Sequence, residues 1–189
     1  MKSLREQFEM DYAPVPYVTA PGGKVKIKYV YDAPWYFWDL PQETLKKKKW
    51  QLTCVSIAVL VLFVASALIP SGVNTWTVTA IAGTFGLAVH VLELFGLLRF
   101  LAAKERTTRM NYNYVNGILS IVPWLHGLCL GAAALSGAAY MVKNTVSPGN
   151  MALNLCTCAG YMMGAALCIF LAVQYQKIPF GTCKNEGVK

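Results

Sequence analysis

Three long stretches without a charged residue constrain this chain more than any other feature of its sequence. No Asp, Glu, Lys or Arg occurs at residues 50–92, 110–142 or 144–176. These runs of 43, 33 and 33 residues exceed the roughly 18 apolar residues that indicate a transmembrane helix. Hydrophobic residues make up 56% of the chain and charged residues only 14%, whereas about 25% of residues are charged in soluble domains. This composition excludes a soluble enzyme, a collagen-like chain and a disordered chain.

The longest run must contain two membrane-spanning helices, because about 20 residues are enough to cross the hydrocarbon core of a bilayer. Proline and glycine interrupt this run at residues 69–74, and both residue types commonly mark turns. Pro123 lies inside the second run, which we still expect to form one long helix with a bend at the proline. The four predicted transmembrane helices cover residues 50–69, 75–103, 110–142 and 151–174.

The predicted fold class is therefore an all-α integral membrane protein built as a four-helix transmembrane bundle. The transmembrane domain covers residues 50–176, between an N-terminal segment at 1–49 and a tail at 177–189. Sixteen of the seventeen basic residues lie in these two segments or around the connection between the second and third helices. Only Lys143 lies on the other side. Because lysine and arginine concentrate in cytoplasmic loops, both termini of this multi-pass protein are predicted to be cytoplasmic.

The N-terminal segment contains the pattern of a short β-hairpin. Two stretches, at residues 14–20 and 24–31, flank the turn signal Pro21-Gly22-Gly23, and lysine alternates with apolar residues in the second stretch. A two-stranded hairpin is only marginally stable in water. We therefore expect this hairpin to lie against a membrane, a partner protein or a neighbouring subunit.

Aromatic and basic residues before the first predicted span are typical of an anchor at the membrane interface. The residues assigned to this anchor are Trp35, Tyr36, Trp38, Lys46, Lys47, Lys48 and Lys49. The net charge of +8 would suit nucleic acid, but the basic residues flank apolar runs. The expected partner of these charges is therefore the surface of the lipid bilayer and not nucleic acid.

Four polar residues lie within the predicted second and third helices, among apolar residues. A charged group in the middle of a bilayer costs several kcal/mol and usually marks a functional site. His90 and Glu93 are three residues apart and share a helix face, as do His126 and Cys129. The two helices are antiparallel and place both pairs at a similar depth. We therefore predict that the four residues form an intramembrane polar cluster.

The chemistry of this cluster is open at the level of sequence. Hydrogen bonds among the side chains would fasten the two helices together. Two histidines on neighbouring helices would also suit the axial positions of haem, and histidine, glutamate and cysteine together would suit a metal such as zinc. A glutamate and two histidines would equally suit a path for protons or ions.

Small residues at four-residue spacing predict close helix packing. Gly127 and Gly131 form one such pair, and Gly160 and Gly164 form a second. Glycines at this spacing allow helix backbones to approach in a bilayer. The chain carries more of these faces than a four-helix bundle needs. We therefore expect some of them to contact other subunits.

The favoured hypothesis is a structural or accessory subunit of a membrane assembly, bound to copies of itself or to other membrane subunits. It is favoured because the sequence contains no phosphate-binding loop, no nucleophile-and-base arrangement on a loop and no carboxylates paired for catalysis. The chain is therefore not expected to be an enzyme. The alternative is a bundle that binds haem or conducts protons or ions through His90, Glu93 and His126.

Overall fold

The computed structural model of the chain describes residues 4–18, 24–144 and 147–183. The helices are α1 (Leu4–Asp11), α2 (Gln42–Leu68), α3 (Gly72–Thr75), α4 (Thr77–Ala102), α5 (Arg109–Lys143) and α6 (Pro148–Gln176). The strands are β1 (Tyr12–Val18), β2 (Val25–Tyr31), β3 (Trp35–Trp38), β4 (Arg106–Thr107) and β5 (Phe180–Cys183). By length and composition, α2, α4, α5 and α6 can cross a membrane. The predicted four-helix membrane bundle is confirmed.

The ends of the helices differ from the prediction mainly in α2. This helix begins at Gln42, not at residue 50. Lysine is a good helix former, and the negative charge of Glu43 in the first turn interacts favourably with the helix dipole. Lys46 to Lys49 therefore belong to a helical extension of the span. A single helical turn, α3, occupies the connection to α4, and α5 continues as one helix through Pro123, as predicted.

The four long helices pack in the order α2–α6–α5–α4. The most extensive contacts join α4 to α5 and α5 to α6, followed by those between α2 and α6. Contact between α2 and α4 is much more limited. Polar side chains of α2 nevertheless form hydrogen bonds with α4 and the residue that follows it.

A three-stranded sheet, which we call the basal sheet, covers one end of the bundle. Strand β3 lies in the middle and pairs antiparallel with β4 on one side and β5 on the other. The sheet thus joins the N-terminal segment, the connection between α4 and α5, and the segment that follows α6. These are the regions that carry nearly all of the basic residues, although Lys2, Lys184 and Lys189 lie outside the described residues.

Two residues assigned to the interfacial anchor are buried, so the prediction is wrong for them. Trp38 is in the core, with its ring 5.0 Å from that of Phe100. The ammonium of Lys49 donates a 2.6 Å hydrogen bond to the carbonyl of Ala103, at the C-terminal end of α4. It also lies over the rings of Trp38 and Phe100. The basal sheet and the extension of α2 cover both side chains, and Trp35, Tyr36 and Lys46 to Lys48 remain predicted anchor residues.

The predicted β-hairpin is present. Strands β1 and β2 pair antiparallel from Tyr12↔Tyr31 to Val18↔Val25, whereas the predicted turn at 21–23 lies outside the described residues. The base of the hairpin is tied to the bundle, because the hydroxyl of Tyr31 accepts a 2.9 Å hydrogen bond from the backbone N–H of Arg109. The same hydroxyl donates a 2.7 Å hydrogen bond to the carbonyl of Pro34.

The apolar core of the bundle is divided into two clusters. The basal cluster, nearer the basal sheet, contains Trp38, Leu45, Leu52, Leu97, Phe100, Tyr112, Val115, Leu119, Leu171, Tyr175 and Ile178. The distal cluster contains Val59, Leu130, Ala133, Ala134, Tyr161, Ala165 and Cys168. Along α2, Ser56 lies between the two, and His126 does so along α5. The residues between these clusters form the candidate site.

Candidate functional site

A buried stripe on α4 positions the site. Its residues alternate at spacings of four and three and therefore share one helix face. They are Thr79, Gly83, Gly86, His90, Glu93, Leu97 and Phe100. A Cβ atom at Gly86 would already contact Leu130 at 3.5 Å, and one at Gly96 would lie 2.5 Å from Ile118. Because these glycines have no side chain, α5 can approach α4 closely enough for His126 to reach Glu93.

Glu93 is the centre of the site and is completely buried. The hydroxyl of Ser56, on α2, donates a 2.6 Å hydrogen bond to Oε1 of Glu93. Nδ1 of His126, on α5, lies 3.1 Å from Oε2 of the same carboxylate. Glu93 thus links three helices, and its contact with Ser56 bridges α2 and α4, which pack against each other only to a limited extent.

His90 completes the site but makes no hydrogen bond within it. Its side chain is 3% exposed, and Nδ1 lies 3.9 Å from Oε1 of Glu93, which is too long for a hydrogen bond. Neither ring nitrogen has a hydrogen-bond partner among the described residues. The ring centroids of His90 and His126 are 5.0 Å apart, with the ring planes at 51°. Burying an unpaired polar group costs about 1–3 kcal/mol, so the position of His90 requires an explanation.

The site lies near the middle of the bundle. With a rise of about 1.5 Å per residue, Ser56 is roughly 21 Å from the start of α2. By the same rise, His126 is roughly 25 Å from either end of α5. Leucines of the basal cluster lie on one side of the site and Val59 and Leu130 lie on the other. These apolar layers enclose the site, and we do not propose that it conducts protons or ions.

The structure brings together three of the four polar residues that the sequence singled out. Donor atoms of His90, Glu93 and His126 all lie within 4.8 Å of one another. Cys129 is not part of this group, and its Cβ faces Gly86 on the neighbouring helix. Sequence reasoning missed Ser56 because it considered only ionisable residues. Its spacing of four and three residues from the buried Leu52 and Val59 would have placed it on the inner face of α2.

Haem between the two histidines, one of the interpretations above, does not fit this geometry. Nδ1 atoms of both His90 and His126 lie within 4 Å of the carboxylate of Glu93. A flat macrocycle between two rings whose centroids are 5.0 Å apart would have to occupy the position of that carboxylate. We therefore do not propose haem.

The predicted packing glycines serve mainly within the chain. A Cβ atom at Gly127 would lie 3.3 Å from the carbonyl oxygen of Ala165, and one at Gly164 would lie 3.0 Å from Leu130. A Cβ atom at Gly160 would overlap the hydroxyl of Ser66. These three glycines are therefore covered by neighbouring helices of the same chain, and a contact of either glycine pair with another subunit stays a prediction. Only Gly131 of the four has no described atom within 4 Å of such a Cβ.

No protein-family model, no curated protein and no solved structure matches this chain. Its function is therefore inferred from the chemistry and geometry of its own residues.

Proposed function

We propose that this membrane protein is a structural or accessory subunit of a membrane assembly and that hairpin β1–β2 binds a neighbouring subunit. The observation that carries the proposal is the exposed apolar face of this hairpin. Val25, Ile27 and Tyr29 expose 66%, 62% and 55% of their surface.

The pairing of the two strands separates an apolar face from a basic face. Residues directly opposite each other in an antiparallel pair point to the same side. The pairs Pro16↔Ile27 and Val18↔Val25 therefore lie on the apolar side, and the pair Tyr17↔Lys26 lies on the other. Exposed, contiguous apolar patches commonly mark protein–protein interfaces.

The backbone of the hairpin favours one edge for binding. Pro14 and Pro16 lack an N–H, so they are tolerated only where that group would point away from the paired strand. The outer edge of β1 is therefore poor in hydrogen-bond donors. The outer edge of β2 has no paired strand among the described residues and can add a strand from a neighbouring subunit. Since two strands alone are marginally stable, such a contact would also stabilise the hairpin.

Replacing Ile27 and Tyr29 together by threonine is expected to release the chain from its assembly. Threonine retains a high β propensity but removes most of the apolar surface. The particle mass in mild detergent, measured by light scattering, should fall to that of one chain in its micelle. A matched control, Lys26→Thr with Lys28→Thr, changes the other face and should leave the mass unchanged. A wild-type protein that is already monomeric and purifies without a partner would contradict the proposal.

We further propose that both termini are cytoplasmic, because the basal sheet lies at the end that carries nearly all of the basic residues. In intact cells, Cys183 in strand β5 of the basal sheet should resist a membrane-impermeant thiol reagent and react only after permeabilisation. Ser147→Cys, at an exposed position at the opposite end of the bundle, should react without permeabilisation. The reverse pattern would invert the topology.

A further inference from the structure

We propose that His90, Glu93 and His126 bind one divalent first-row transition-metal ion, with zinc as the representative ion. Two imidazoles and one carboxylate form a ligand set that proteins use for zinc and for ferrous iron. The site rests on the geometry of the described side chains and is independent of the role proposed for the hairpin.

The distances suit a shared ion. Nδ1 of His126 is 3.1 Å from Oε2 of Glu93, and Nδ1 of His90 is 3.9 Å from Oε1. Metal–ligand bonds to histidine and carboxylate are about 2.0–2.2 Å long, so tetrahedral ligands lie roughly 3.4 Å from one another. The three donor atoms, all within 4.8 Å, need only a small contraction to coordinate the same ion.

The unpaired nitrogens of His90 provide a second, independent indication of a ligand. This ring is almost completely buried, and neither nitrogen has a hydrogen-bond partner among the residues described. Helix α4 nevertheless directs it toward Glu93, since the two residues are one turn apart on the buried face. A metal ion at the centre of the group would occupy one of these nitrogens and remove much of the cost of burying an unpaired imidazole.

Ser56 would orient the ligand carboxylate. Its hydroxyl donates a 2.6 Å hydrogen bond to Oε1 of Glu93, and such outer contacts fix the orientation of metal ligands. The carboxylate would in turn offset part of the charge of the ion, which matters in a site that is shielded from water. Because apolar layers enclose the site, the ion would be acquired while the helices assemble.

The test is the metal content of the full-length protein, purified in mild detergent from cells grown with added zinc and, separately, with added cobalt. The wild type should contain about one ion per chain, and the cobalt protein should show visible absorption from coordinated Co²⁺. His90→Ala and His126→Ala should each lower the content at least about ten-fold. The matched control Thr79→Val, on the same face of α4, and the double hairpin variant Ile27→Thr with Tyr29→Thr should both retain the ion.

Ser56→Ala keeps all three ligands and tests the site if the histidine variants do not accumulate. The affinity of this variant for zinc, measured by competition with a chelator, should be about 10-fold lower than that of the wild type. Wild-type protein without metal from either growth would overturn the proposal. The proposal would also be overturned if the His90, His126 and Ser56 variants all had the metal content and zinc affinity of the wild type.

Discussion

Gly160→Leu is expected to prevent stable packing of the bundle, whereas Gly131→Leu is expected to leave it intact. A Cβ atom at Gly160 would overlap the hydroxyl of Ser66 and lie 3.2 Å from its Cβ. The leucine side chain would therefore force α6 away from α2. Because the backbone of α2 is also close, at Leu62, we expect a loss of about 3 kcal/mol in the free energy of unfolding, at the upper end of the usual cost of overpacking. At Gly131, no described atom lies within 4 Å of the added Cβ.

Thermal unfolding in detergent, followed by circular dichroism, would compare the two leucine variants with the wild type. Gly160→Ala provides a more specific test, because its single methyl group meets mainly the Ser66 hydroxyl. Adding Ser66→Ala removes that hydroxyl and should restore most of the stability that Gly160→Ala loses. Equal stabilities of Gly160→Leu and Gly131→Leu would show that α2 and α6 do not pack as described.

His126→Leu is the second substitution for which we expect a large effect. It removes the imidazole 3.1 Å from Oε2 of Glu93 and leaves a buried carboxylate with Ser56 as its remaining hydrogen-bond partner. Leaving one member of a buried hydrogen-bonded pair without its partner costs about 1–3 kcal/mol. Replacing both partners by apolar residues is often nearly neutral. The double variant Glu93→Leu with His126→Leu should therefore be more stable than His126→Leu alone.

A double-mutant cycle in a chelating buffer would measure this coupling without a contribution from bound metal. The pair Thr79 and Ser136 provides a control, since their hydroxyls form a 2.7 Å hydrogen bond between the same two helices. Thr79→Val with Ser136→Ala should show a coupling of only about 1 kcal/mol. If His126→Leu costs no more than Thr79→Val, the carboxylate of Glu93 does not depend on this histidine.

The spans could be predicted from the sequence because the bilayer imposes a simple length requirement. A helix of about 20 uncharged residues satisfies its own backbone hydrogen bonds in the hydrocarbon core. Ends of helices outside the bilayer are less constrained. The sequence pattern places Lys46 to Lys49 in an anchor before the first helix. In the structure they extend this helix, because lysine is a good helix former.

The pairing of distant segments could not be predicted in the same way. The aromatic segment that forms β3 pairs with β4 and β5, which follow it by about 70 and 145 residues. No local pattern identifies strand partners at such separations. In addition, β4 has only two residues, which is too short for a recognisable strand pattern. This pairing buries Trp38, whereas the sequence pattern alone favoured an interfacial position.

The candidate site was partly accessible to sequence reasoning. Ionisable residues in an apolar run are conspicuous, and His90, Glu93 and His126 were identified on that basis. Their spacing placed pairs of residues on a common helix face, but it did not show how neighbouring helices are rotated. That rotation includes Ser56 and excludes Cys129.

The sequence by itself determined four membrane-spanning helices. Charged residues are costly inside a bilayer, and the length of each uncharged run shows how many spans it can form. The sequence also indicated that glycines at four-residue spacing allow close packing, but not which of these glycines a neighbouring helix approaches. Gly127 and Gly131 have the same local pattern, yet only Gly127 meets the backbone of α6. Helix rotation and helix order are decided by the packing of all four helices together. Only the tertiary structure, therefore, could place Ser56, His90, Glu93 and His126 in one enclosed group.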